Sequence, residues 1–89
     1  MKIERMENGY KLTDLYITAA LLCGENFTLL HLEPFALASG KKYFMFVIKG
    51  DPDKIRSSID DFFNCNYKID AYTFKAKLQN LRSRLFANS

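Results

Sequence analysis

The sequence predicts an α+β domain: a small antiparallel sheet of two long strands, with a candidate short third, covered by three helices in the order α-β-β-α-(β)-α. Three observations carry this. Lys42-Tyr43-Phe44-Met45-Phe46-Val47-Ile48-Lys49 is a run of six apolar or aromatic residues between lysines. It is too short for an ordinary helix and has no polar alternation, as in a strand covered on both faces. Helix-start chemistry recurs at Thr13-Asp14, Asp51-Pro52 and Asp70. Too few residues separate the two long strands for a helical crossover, so they pair antiparallel.

Residues 1–11 are polar and charged, with Asn8-Gly9 as a turn signal, and 1–9 read as a flexible lead-in to a short extended piece at Tyr10-Lys11-Leu12. The first helix starts with Thr13 as N-cap, Asp14 in the positive first turn, and Leu12 with Ile17 as a hydrophobic staple. Gly24 ends it just past Cys23. Between Leu15 and Cys23 only Thr18 is polar, so this helix is apolar almost all round and must be covered on more than one side. Either other elements sandwich it or a partner covers Ile17 and Leu21.

The first strand spans 27–33 and is closed by Pro34, which cannot donate to a ladder. Phe35 to Gly40 links it to the central strand, with Ser39-Gly40 as the turn. Phe35 and Leu37 are apolar for a link, which fits a strand extension past a bulge or an interface tip. Asp51 and Pro52 then open the second helix, with Ile55, Ile59, Phe62 and Phe63 as its core stripe and Arg56, Ser57 and Asp60 outside. Asn64-Cys65-Asn66 breaks it, Tyr67-Lys68-Ile69 is the candidate third strand, and Asp70 caps the last helix. There Phe74, Leu78, Leu81 and Leu85 form one stripe, and the end frays at 87–89.

Most of the span from Lys11 to Phe86 resembles a family of small bacterial and phage-type domains of unknown function. The resemblance lies in Thr13-Asp14-Leu15-Tyr16-Ile17-Thr18-Ala19-Ala20-Leu21-Leu22-Cys23-Gly24 of the first helix, the Asn-containing break after the second, and Ile69-Asp70 before the last. It implies a single domain in a phage or mobile-element setting. The family has no assigned activity, so no site residue is carried over.

Composition narrows the function. The chain has 89 residues, 48% of them hydrophobic, with Phe 8 and Tyr 5, which is one domain able to fold without staples. A net charge of +3 permits binding to an anionic surface without demanding it. Cys23 and Cys65 are distant and outside any motif, and no apolar stretch reaches the ~18 residues of a span, so the expectation is a soluble cytoplasmic protein.

Chemistry is sparse. His31 is the only histidine and reads as a strand residue; Cys23 and Cys65 lack zinc-site spacing. Cys23 also sits at the negative end of its helix, the wrong end to lower a thiol pKa. Asp60 and Asp61 point about 100° apart, and the isolated glycines make no phosphate loop. The reading is therefore no catalytic residue, no cofactor, no metal site and no small-molecule substrate.

Two binding hypotheses remain for an accessory protein. In the first, Lys41, Lys42, Lys75, Lys77, Arg82 and Arg84 contact a nucleic-acid backbone, since no acidic residue follows Asp70. The helical wheel counts against it by putting Lys75 and Arg82 on one flank of the stripe, Lys77 and Arg84 on the other, and Tyr72, Gln79, Asn80 and Ser83 on the far face. In the second, Ile17, Leu21, Phe35 and Leu37 form an interface with a protein partner or a second copy. An RNA-recognition sheet is also a comparison: Phe44 and Phe46 match its stacking aromatics, but Tyr43 and Met45 replace its small residues, and core packing is the better account.

Overall fold

The computed structural model describes residues 2–24, 26–36, 38–40 and 42–88. Its chain order is β1 (Ile3–Met6), β2 (Gly9–Leu12), α1 (Leu15–Leu22), β3 (Thr28–Ala36), β4 (Lys42–Lys49), α2 (Pro52–Phe63) and α3 (Ala71–Asn88). The four strands form one antiparallel sheet in the order β1-β2-β4-β3. The α+β class, the antiparallel pairing and the three helices agree with the sequence.

The strand count does not. Residues 3–6, expected as part of a flexible lead-in, form a hairpin with the piece expected as extended at Tyr10-Lys11-Leu12, with Ile3 opposite Leu12 and Met6 opposite Gly9. Its strands hide behind charge, because Glu4 and Lys11 lie on one face while Arg5, on the other, reaches Asp53 of α2 at 3.0 Å. Gly9 is where only glycine serves, since a Cβ there would collide with the Ile48 carbonyl oxygen of β4. The expected third strand, Tyr67-Lys68-Ile69, has no ladder partner and is a linker between α2 and α3.

β4 is the central strand, and Met45, Phe46, Val47 and Ile48 are all buried. Its two faces are covered by different means. Phe46 and Ile48 point with Tyr10, Leu12, Leu29 and Leu32 toward the helices. Met45 and Val47 alternate onto the face that carries no helix, yet are only 4% and 3% exposed. Lys11 and His31 flank Val47 in register, Glu33 lies opposite Met45, and a Lys11–Glu33 ion pair of 2.8 Å crosses between β2 and β3. Long side chains of neighbouring strands thus replace a second layer.

β3 runs further than expected. It continues through Pro34 to Ala36, so Phe35 extends the strand and stacks on Tyr43 with ring centroids 5.8 Å apart. Pro34 is tolerated because β3 is an edge strand. A register irregularity between Leu29 and His31 makes Leu30 a bulge. Gly40, at φ 85, supplies the left-handed residue of the turn into β4.

α1 lies between α2 and α3 above the sheet. One core cluster joins Ile17 and Leu21 to Ile55 and Ile59 of α2 and to Tyr10, Leu12 and Ile48; the other joins Ala19 to Leu81 of α3 and Phe46. Sandwiching within the domain therefore accounts for the all-round apolarity of α1. The N-cap falls one residue later than expected: Asp14 accepts from the Ile17 N–H at 2.8 Å, while the Thr13 hydroxyl accepts from the Lys2 N–H at 2.7 Å and ties down the chain start. With Asp14 as cap, Leu12 is no longer a staple position and packs in the core instead.

Asp51 caps α2 by accepting from the Asp53 N–H, with Pro52 opening the helix. Ile55 and Ile59 are buried, but Phe63, at the margin of the stripe, is 53% exposed with its ring edge-on to Phe62. α2 ends in a Schellman pattern: Asn66 N–H donates to Asp61 O at 2.8 Å and Cys65 N–H to Phe62 O at 3.1 Å. Cys65 occupies the left-handed position, φ 61, that glycine usually fills. Asp70 accepts from the Thr73 N–H and hydroxyl at 2.8 and 2.9 Å at the start of α3.

Candidate functional site

The structure separates the basic residues that the sequence groups. Lys41 and Leu37 lie outside the described residues. Lys42 pairs with Ala36 at the far end of β3 from Thr28, roughly 26 Å along the strand at its usual rise. Lys75 borders a shallow hollow with Tyr72 and Gln79. Arg82 turns to α1 and donates to the Tyr16 hydroxyl at 3.4 Å. Lys77 and Arg84, seven residues apart on the other flank of α3, come together at one groove.

That groove has a volume of about 450 Å³ and lies between the end of α1, the start of β3 and α3. Leu22, Phe27 and Leu29 make an apolar floor; Thr28 and Asn80 add polar groups, and Lys77 and Arg84 add positive charge. Among the described residues no Asp or Glu lines it. Phe27 is set firmly, because its ring packs where a Cβ on Gly50 would be and joins the core cluster from its margin. Asn80, placed by the wheel on the far face, faces the groove. The floor was not legible in sequence, where Phe27 and Leu29 are ordinary strand residues; the one available signal was the i, i+3, i+7 spacing of Lys77, Asn80 and Arg84.

A smaller hollow near the other side of α1 is lined by Cys23, Gly24, Tyr67, Asp70 and Thr73 among others. Burial pushes the Cys23 thiol pKa up, against a weaker opposing pull from Lys77, and the S–H donates to Ala19 O at 3.3 Å. Burial also raises the Tyr67 phenol. Backbone and hydroxyl hydrogen bonds from Thr73 hold the Asp70 carboxyl below its ordinary range. A thiol kept protonated beside a carboxylate already used as a cap is poorly placed for nucleophilic chemistry.

The partner-interface residues are also redistributed. Ile17 and Leu21 are 2% and 1% exposed, so the folded protein does not present them to a partner. Phe35 is half-buried, stacked on Tyr43 with the Lys2 ammonium 5.5 Å from its ring centre. Phe46 is buried and Phe44 half-buried on the helix side, while Tyr43, 41% exposed, stands on the helix-free face with Phe35. His31 lies on that face too, opposite Val47. Cys23 and Cys65 are free thiols, and no group of three or more His, Cys, Asp or Glu gathers among the described residues.

No family model, curated protein or solved structure matches the chain. No helix among the described residues is long and apolar enough to cross a membrane.

Proposed function

We propose that this protein is a non-enzymatic accessory module that binds nucleic acid through phosphate contacts on the β3-facing flank of α3. The observation that carries the reading is the convergence of Lys77 and Arg84 on one groove that has no Asp or Glu among its described lining residues. Four ion pairs form elsewhere among the described residues: Arg5 with Asp53, Lys11 with Glu33, Arg56 with Asp60 and Lys2 with Glu4. α3 carries Lys75, Lys77, Arg82 and Arg84 and no Asp or Glu, so positive charge concentrates on it. Such contacts position a nucleic acid without reading its sequence. The resemblance of residues 11–86 to phage-type domains is what suggests a mobile-element setting.

The test is a titration of labelled single- and double-stranded DNA and RNA at ~20 and ~200 mM salt. Binding at low salt that weakens steeply at high salt is expected, and Lys77→Gln should flatten the slope. Absence of binding at low salt would end the reading.

A second reading, self-association, rests on Tyr43 and Phe35 on the helix-free sheet face and on Leu30, exposed at the bulge. Solution mass measured across a wide concentration range decides it: a rise toward twice 10.3 kDa, abolished by Tyr43→Glu, is the expected result.

A further inference from the structure

We infer that the groove between α1, β3 and α3 takes an unpaired nucleotide, so that the protein selects single strands over duplex; this rests on the nucleic-acid reading above. The reason is the pairing of two chemistries in one place. Lys77, on a long stem at the rim of the groove, can meet a phosphate of one nucleotide, and Arg84 adds positive charge two turns and about 10.5 Å further along the helix axis. Phosphate contacts alone would need only a flat basic surface.

Beneath these cations lies a floor of Leu22, Phe27 and Leu29. A duplex keeps its base faces stacked inside and presents phosphate rows, so it cannot fill that floor. An unpaired base can, because its flat apolar face suits Phe27 and its edges can bond to Thr28 and Asn80. The volume, about 450 Å³, lies within the range of pockets that enclose small organic groups. Phe27 is anchored against Gly50 and the core margin, so a base would meet a ring already fixed in place.

The experiment compares a fluorescent oligothymidylate of about 12 nucleotides with a duplex of equal length, using the full chain at ~20 mM salt. The single strand is expected to bind at least about tenfold tighter. Phe27→Leu, with folding checked by circular dichroism, should weaken single-strand binding about tenfold while leaving duplex binding and the salt slope unchanged. Asn80→Ala, at an exposed helix position that leaves the core intact, should weaken it several-fold. Lys77→Gln should lower the single-strand salt slope by about 0.7. Equal binding of both forms, or single-strand binding indifferent to both Phe27→Leu and Asn80→Ala, overturns the nucleotide groove and leaves the phosphate reading standing. Failure to bind either form overturns both.

Discussion

Helices α1 and α3 divide the work of the domain between them. α1 is eight residues long and buries five in succession, from Ile17 to Leu21; α3 is eighteen residues long, and only Leu81 among its described side chains is fully buried. The short helix owes its existence to packing, since isolated helices of that length are marginal in water. The long one rests a half-buried stripe of Phe74, Leu78 and Leu85 on α1 and the sheet and leaves the rest of its circumference to solvent. Stability is therefore concentrated where the chain offers no surface, and available charge where it offers little stability.

The largest expected effect breaks or keeps that contrast directly. Leu21→Ala should cost about 3 kcal/mol in urea unfolding, while Leu85→Ala should cost about 1 kcal/mol. Similar losses at the two positions would refute the division. A smaller change probes the start of α1: Asp14→Ala removes the cap on the Ile17 N–H and should cost about 1 kcal/mol, measured the same way. Cys65→Gly acts with opposite sign, relieving the left-handed non-glycine residue at the end of α2, and should raise stability by about 1 kcal/mol. On α3, Lys77→Gln should leave stability within about 0.5 kcal/mol, since its role is at the groove.

The pH response is the smallest effect, because the groups concerned are only partly buried and solvent screens them. The Lys11 hydrogen bond lowers the Glu33 pKa below its ordinary 4.5 in the folded state, and the same bond raises Lys11 above 10.5. For Glu33 the stabilisation is fully present above pH ~4.5 and fades as pH falls through the lower folded value. For Lys11 it is present below 10.5 and fades as pH rises through the higher folded value. Glu33→Gln should therefore flatten both limbs of a melting-temperature profile; unchanged limbs would show that the pair contributes nothing on the helix-free face.

Legibility in the sequence followed how many constraints each residue type carried. β4 was readable because six apolar residues in a row leave little alternative, and α2 because Asp51-Pro52 satisfies two start rules together. β1 was not, and β2 showed only as a short extended piece at Tyr10-Lys11-Leu12, because Glu4, Arg5 and Lys11 look like a solvated tail until Asp53 and Glu33 are brought alongside by the fold. Ile17 and Leu21 were ambiguous for a related reason: periodicity shows that a face needs cover, not which neighbour covers it. The groove was least legible. Its two cations were visible in α3, but its floor comes from residues 22–29, some fifty positions away.

The bulge at Leu30 and the ring of Pro34 also bear on how this chain behaves in a crowd. An unbroken nine-residue rim would offer neighbouring copies a template for adding strands without limit. One kink and one missing donor interrupt that rim, and the opposite border, β1, is only four residues long and studded with Glu4 and Arg5. The sheet is thus terminated at both ends, which guards an aromatic-rich protein against fibre growth.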